Sequence, residues 1–159
     1  MKKDVPHSCR PIVIGIGNEF RSDDALGILV AREFRRRAGE SISVREMSGE
    51  GTSLLESWGP DDCVWLIDAV SSGSPPGTIH RIDATQTQLP AWFFSSHAFG
   101  VAEAVELART LGRLPRRLIL CGIEAGEFKE GVGLSDRVLR SVPELVTMIQ
   151  EELKSETIA

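Results

Sequence analysis

At 159 residues and 17.4 kDa the chain has the size of one domain, which we expect to span residues 1–159 with an ordered core of about 11–153. Its content of 42% hydrophobic and 26% charged residues is typical of a globular protein and excludes a disordered chain. The net charge of −5 argues against a nucleic-acid partner, and no apolar run approaches the ~18 residues of a membrane helix, so no membrane partner is expected either.

Cysteine content and the N-terminal sequence bear on the compartment. The N-terminal lysines are not followed by an apolar segment, so no signal peptide is predicted. Cys9, Cys63 and Cys121 contain no CxxC pair, which predicts neither a disulfide framework nor a cysteine-rich zinc module. Cys63 and Cys121 lie in apolar runs, where a thiol is typically a small core residue. Together these features favour a reducing, cytoplasmic location.

Short apolar segments typical of buried strands alternate with amphipathic segments typical of helices. In chain order, the pattern predicts a strand at Pro11–Gly17, a helix at Asp24–Ala38, a strand at Ile42–Met47, a short helix at Thr52–Trp58, strands at Cys63–Val70 and Thr78–Ile82, a helix at Ser96–Leu111, a strand at Arg117–Ile123 and a helix at Ser135–Lys154 that is kinked or entered at Pro143.

This alternation predicts an α/β fold: a three-layer sandwich with a five-stranded, mostly parallel twisted sheet, one antiparallel strand, and helices on both faces. The antiparallel strand should be Thr78–Ile82, because only Ser71–Gly77 separates it from Val70 and a parallel crossover needs a dozen residues or more. We therefore expect Cys63–Val70 and Thr78–Ile82 to form an antiparallel hairpin.

Polar residues fall where parallel strands end, and such sheets place their functional loops at the carboxyl ends of the strands. Asp23 and Asp24 follow the first strand, Asp68 lies near the end of the third, and His97 begins a helix. Either aspartate of the pair could cap the next helix, and His97 could be only a helix-start residue. A lone carboxylate in the apolar segment CVWLIDAV, however, needs a partner.

Asp24, Asp68 and His97 together would form a site of two carboxylates and one imidazole. Such a donor set suits nickel, zinc or a similar divalent ion. The other histidines fit less well, because His7 lies in the N-terminal segment and His80 falls mid-strand with no acidic neighbour predicted on its own face.

A nucleotide site is the main alternative that short motifs suggest. Gly15-x-Gly17 resembles the start of a dinucleotide fingerprint, but Phe20 occupies the position of its third glycine. No Walker A, GxSxG or HExxH motif is present in the sequence. A small nucleotide-binding α/β module stays open as an alternative.

The segment IVIGIGNEFRSDDALG (Ile12–Gly27) resembles the opening signature of the hydrogenase maturation proteases, which trim the C-terminal extension from the large subunit of nickel–iron hydrogenases. The resemblance continues through LIDAV, PPGTIHRID, SSHAFGVAEAVELARTLG and LILCGIEAGEF followed by GVGLSD. It implies an endopeptidase whose partner is the precursor of a nickel–iron hydrogenase large subunit. By motif position, the family's metal-binding and catalytic residues fall on Asp24, Asp68 and His97.

Two positions depart from the family pattern. The first ligand is often glutamate in the family and is the shorter Asp24 here. The family also carries Asp-Gly-Gly-Thr-x-Gly after the second strand, whereas this chain has Met47–Thr52 (MSGEGT) without that aspartate, and Gly51 is equivalent to the family's glycine.

Two mechanisms are compatible with this site. A bound metal ion could polarise the scissile carbonyl or activate water. Alternatively, nickel is contributed by the substrate and cleavage reports its insertion, which the resemblance favours; other divalent ions can also occupy such a site. Outside the enzyme class, the chain could be a non-catalytic, nickel-dependent escort of the large subunit.

Overall fold

The computed structural model describes residues 9–17, 25–93, 100–126 and 134–158, and these form a five-stranded sheet with four α-helices. In chain order the elements are β1 (Arg10–Ile16), α1 (Leu26–Ala38), β2 (Ser43–Met47), α2 (Gly51–Leu55), β3 (Asp62–Val70), β4 (Ile79–Asp83), α3 (Val101–Thr110), β5 (Arg117–Glu124) and α4 (Asp136–Ile158), with 3₁₀ turns at Gly39–Ser41 and Ala91–Phe93.

The sheet has the strand order β2-β1-β3-β5-β4 and confirms the predicted α/β sandwich. The pairs β1–β2, β1–β3 and β3–β5 are parallel, and β4 is antiparallel to β5. Apolar residues of α2 and α3 pack on one face of the sheet, and those of α1 and α4 pack on the other. We call the face covered by α2 and α3 the front face.

The prediction that β3 and β4 form a hairpin is wrong, although β4 is antiparallel as predicted. β5 lies between β3 and β4, so β3 pairs with β5 and never with β4. The reason lies in burial: seven of the eight residues of β5 are buried, whereas those of β4 are half-buried or exposed. The more apolar strand takes the central position, and residues 71–78 are long enough to step across the ~10 Å of two strand spacings.

Helix α1 packs unusually close to the sheet through two glycines. A Cβ on Gly15 would lie 2.2 Å from the carbonyl oxygen of Gly27, and a Cβ on Gly27 would lie 2.2 Å from the carbonyl oxygen of Ile16 and 2.4 Å from that of Ile67. Neither residue can therefore carry a side chain in this geometry. As a result, the start of α1 lies directly against the carboxyl ends of β1 and β3.

The short helix α2 begins one residue before its predicted start, and α4 begins well before Pro143. The Glu50 carboxylate accepts hydrogen bonds from the amides of Thr52 and Ser53, which caps α2 from Gly51 onward. Helix α4 runs through Pro143, so it is not entered there. The predicted starts of the other two helices, at Asp24 and Ser96, lie outside the described residues.

The cysteine prediction was partly wrong. Cys9 and Cys63 form a disulfide, with their Cα atoms 5.7 Å apart. Cys9 directly precedes β1, in which Pro11 pairs with Cys63, so the parallel register brings together two residues 54 positions apart in sequence. The cysteine content therefore no longer supports a reducing compartment. Cys121 is a buried free thiol, as predicted, and burial raises its pKa to about 12.

Within the described ranges, no helix is both long enough and apolar enough to cross a bilayer.

Candidate functional site

Asp68 is the one predicted site residue that the structure describes. It lies two residues before the end of β3, pairs with Gly122 of β5, and its side chain is half-buried. Its Oδ1 atom accepts a hydrogen bond of 2.8 Å from the amide of Ala69. Because side chains alternate along a strand, Asp68 points to the front face with Leu66 and Val70. The carboxylate therefore lies at the carboxyl edge of the sheet, as predicted.

Asp23, Asp24 and His97 lie outside the described residues, but the structure describes Ala25, which follows Asp24, and Gly100, three residues after His97. Gly27 places the start of α1 against Ile16 and Ile67, the residue that precedes Asp68. A Cβ on Gly49 would lie 2.7 Å from the Ile16 side chain and 3.8 Å from that of Val101, the first residue of α3. The starts of α1 and α3 and the end of β3 are therefore neighbours at one edge.

A polar cluster that sequence reasoning missed lies at the same edge of the sheet. Glu124, the last residue of β5, is only 3% exposed, and its Oε2 lies 3.2 Å from Nε2 of His80. The same carboxylate accepts hydrogen bonds from the Ser72 hydroxyl (2.7 Å), the Ser72 amide (2.9 Å) and the Gly73 amide (3.2 Å). His80 therefore has an acidic partner after all, supplied by a strand 44 residues further along the chain.

The hydrogen bonds decide the protonation state of Glu124. Burial of the carboxyl raises its pKa, but the hydrogen bonds from Ser72, His80 and Gly73 outweigh that effect and hold the pKa below its ordinary value. Glu124 is consequently an anion at neutral pH. An ionised, buried carboxylate is satisfied here by donors from the β3–β4 connection and from β4.

The cluster contains serine, histidine and glutamate but does not have the geometry of a nucleophilic triad. In a triad, the two nitrogens of the histidine ring contact the serine and the acid separately. Here the same atom, His80 Nε2, lies 3.3 Å from Ser72 Oγ and 3.2 Å from Glu124 Oε2, and the serine hydroxyl donates directly to the carboxylate. The arrangement orders the loop and does not activate a nucleophile.

His80 also contacts an aromatic pair. Its ring centroid is 4.8 Å from that of Trp92, which is in turn 5.5 Å from Phe93. His80 and Asp68 flank Gly122 in register, but Val70 fills the space above Gly122, where a Cβ would lie 2.7 Å from its side chain. The hydrogen-bond partner of His80 at this edge is Glu124.

The sequence predicted metal binding at this edge by Asp24, Asp68 and His97. In the part of the chain that the structure describes, no group of three or more histidine, cysteine, aspartate or glutamate residues could hold an ion. Asp68 supplies a carboxylate oxygen, a donor that suits divalent ions. A metal site at this edge would therefore need donors from outside the described residues, where the predicted Asp24 and His97 lie.

An open cavity of about 280 Å³ lies at the opposite, amino-terminal edge of the sheet. Its lining carries both signs of charge, and Arg117 is paired with Glu156 within it. The complete lining is Cys63, Asp83, Thr85, Gln86, Arg116, Arg117 and Glu156. None of these residues belongs to the candidate site.

Comparison with known proteins agrees with this fold. Among solved structures, the hydrogenase maturating endopeptidase HybD from E. coli has a TM-score of 0.74 over 92% of this chain and 93% of its own, at 22% identity, so it shares the α/β fold. The sequence model of the family described as hydrogenase maturation protease matches residues 33–152. Because this match covers more than half of the chain, the protein belongs to the hydrogenase maturation protease family.

Curated relatives carry related names. The hydrogenase expression/formation protein HupD of Thiocapsa roseopersicina is 29% identical over 147 residues, which cover 89% of this chain and 66% of the relative. The hydrogenase 2 maturation protease of Escherichia coli K12 is 27% identical over 135 residues, 81% of each chain. The present chain thus spans slightly less than two thirds of the length of the Thiocapsa relative.

Proposed function

We propose that this protein is an endopeptidase that removes the C-terminal extension of a nickel–iron hydrogenase large-subunit precursor after nickel has been inserted. Asp24, Asp68 and His97 recognise the metal and position the peptide bond. The observation that carries this proposal is the place of Asp68, whose carboxylate lies at the carboxyl edge of the sheet, one residue after Ile67, which the start of α1 contacts. Membership of the maturation protease family supports the reaction class.

Covalent geometry supports the grouping of the three donors. Asp24 precedes Gly27 by three residues, and His97 precedes Gly100 by three, so each Cα lies within ~11 Å of a described anchor at this edge. The Gly27 anchor touches the carbonyl of Ile67, next to Asp68. These limits allow all three side chains to reach a common ion.

The proposed reaction treats nickel as part of the substrate. A carboxylate pair and an imidazole suit a divalent first-row ion, and they would complete the coordination of nickel already held by the precursor. Docking through the metal fixes the neighbouring peptide bond relative to the protein, which converts hydrolysis into an oriented, local reaction. Water adds to the carbonyl carbon, the C–N bond breaks, and the proton goes to the leaving amine. A precursor without nickel lacks this anchor and is expected to stay uncut.

The test is a cleavage assay on purified protein with nickel-loaded and nickel-free precursor, read by mass spectrometry of the large subunit. We expect shortening only with the loaded precursor, and no shortening with Asp68→Asn or His97→Ala. His7→Ala is the matched control, because it removes a histidine that the site does not use. Circular dichroism of each variant verifies that it is folded.

Three other outcomes of these experiments would each favour an alternative or refute the proposal. Nickel-dependent binding without shortening would favour a non-catalytic escort of the large subunit. Thermal stabilisation by a nucleotide would favour the nucleotide-binding module. Cleavage at the wild-type rate by His97→Ala would refute the assignment of the site.

A further inference from the structure

Glu124 connects parts of the chain that lie far apart in sequence. Its buried carboxylate holds the Ser72 amide and hydroxyl, the Gly73 amide and the imidazole of His80. Ser72 Oγ also lies 2.9 Å from Ser74 Oγ, so the hydrogen bonds continue along the connection between β3 and β4. Nothing in the proposed reaction requires this carboxylate to touch the substrate.

The hydrogen bonds from Ser72 and Gly73 to Glu124 fix the end of β3, the strand that carries Asp68. The ladder between β3 and β5 ends at the pair Val70–Glu124, followed by a hydrogen bond of 3.0 Å from the Ala125 amide to the Val70 carbonyl. The Glu124 side chain then holds Ser72, beyond the last ladder pair. Strand ends normally fray, whereas here the chain is attached to β5 on both sides of Val70. The backbone that follows Asp68 is thereby held against β5.

The contact of Glu124 with His80 leads to an aromatic pair that precedes His97 in sequence. His80 lies against Trp92, and Trp92 lies against Phe93. In sequence, Phe93 directly precedes the segment 94–99, which contains His97. One carboxylate is therefore linked both to the residues that follow Asp68 and to those that lead to His97.

We infer that Glu124 is a positioning residue, which acts through Ser72 and His80 to set the relative placement of the Asp68 and His97 segments. This inference rests on the proposed function of the site. Desolvation of a buried carboxylate offsets part of the stability that its hydrogen bonds contribute. Its distinctive contribution is directional, since it fixes donors from the β3–β4 connection and from β4 at once.

The test compares Glu124→Ala and Glu124→Gln with Glu152→Ala as a matched control. Glu152 is also a partly buried carboxylate, which accepts from Trp65 Nε1 (2.9 Å) and pairs with Arg81, but it lies on α4 at the opposite face. Nickel binding is measured with Ni²⁺ alone by calorimetry, and cleavage with the loaded precursor. All variants are compared at a temperature where circular dichroism shows each to be folded.

We expect Glu124→Ala to weaken nickel binding and to lower kcat/KM for cleavage by ~10–100-fold, the usual effect of removing a group that orients a metal ligand. Glu124→Gln should stay within a few-fold of the wild type, because its amide oxygen accepts from the loop amides and its NH₂ group can donate to Ser72. Glu152→Ala should melt at a lower temperature but bind and cleave normally per folded molecule. Rescue by glutamine distinguishes positioning by hydrogen bonds from a role of the charge itself.

Three results would overturn the inference. Glu124→Ala could match the Glu152→Ala control in binding and cleavage, which would reduce Glu124 to a structural residue. Glu124→Gln could be as impaired as Glu124→Ala, which would mean that the negative charge acts directly. A wild-type chain that neither binds nickel nor cleaves would overturn this inference and the proposed function together.

Asp68→Asn, measured in parallel, separates the two proposals. If it binds nickel and cleaves like the wild type, the proposed site is wrong whatever Glu124 does. If it is inactive while Glu124→Ala behaves normally, only the positioning role fails.

Discussion

Replacing Gly27 by alanine tests whether the close approach of α1 to the sheet sets the geometry of the site. A Cβ there would lie 2.2 Å from the Ile16 carbonyl oxygen and 2.4 Å from that of Ile67. Both obstacles are backbone atoms of strands in the middle of the sheet, so no side chain can rotate away. Because Cβ contacts are ordinarily 3.4 Å or longer, the helix must retreat by about 1 Å.

Two opposing effects determine the sign of the change in stability. Alanine is the better helix former, and in an unobstructed helix it would stabilise the protein by ~1 kcal/mol. Overpacking costs ~1–3 kcal/mol, and we expect the upper end here because the obstacles are rigid. The net loss is then ~2 kcal/mol, which lowers Tm by ~4–8 °C for a chain of this size.

Thermal melting followed by circular dichroism measures this loss, and a double-mutant cycle identifies its cause. A Cβ on Gly15 would meet the carbonyl oxygen of Gly27 at 2.2 Å, so Gly15→Ala should displace the same helix. Once the helix has moved, the second substitution should cost less, and Gly15→Ala with Gly27→Ala should lose less than the sum of the two. Gly112→Ala has open space for its Cβ but is strained by the φ of 65° at that position, and this separate cost should add to that of Gly27→Ala without coupling.

The reasoning is refuted if Gly27→Ala melts at or above the wild-type temperature, since helix propensity would then have outweighed the contact. It is also refuted if the two glycine substitutions are additive. The proposed site also predicts that cleavage falls in the folded variant, because α1 directly follows Asp24 in sequence and its retreat would disturb the grouping of Asp24 with Asp68.

Two further predictions concern stability. Cys9→Ser should lower the free energy of unfolding by ~4 kcal/mol, the chain-entropy value for a closed loop of 54 residues. In urea denaturation, a reductant should lower the stability of the wild type to that of the variant. A wild type whose stability does not respond to the reductant would contradict the disulfide. Because the folded pKa of Glu124 lies below its ordinary value of 4.5, the stability gained from its ionised form is complete above that pH and is lost as the pH falls through the folded pKa. The Tm difference between the wild type and Glu124→Gln should therefore shrink as the pH falls below about 4.5, and a difference that grows there would show that the sign is wrong.

The sequence by itself determined the kind of fold, because that information is local. Burial on both faces makes β3 and β5 continuous apolar runs, and the apolar face of α1 repeats at helical spacing, so each element can be recognised from its own residues. The antiparallel direction of β4 was also predictable, because the length of the preceding connection is visible in the chain. Asp68 stood out for the same reason, as a single carboxylate inside an apolar strand.

Only the tertiary structure decided which distant residues meet. The insertion of β5 between β3 and β4 depends on competition between strands for the central position, and no local pattern contains that comparison. The pairing of Cys9 with Cys63, and of His80 with Glu124, follows from strand register across separations of 54 and 44 residues. The side-chain period specifies the face of a strand but not the partner across it, which is why the network around Glu124 could not be predicted from sequence.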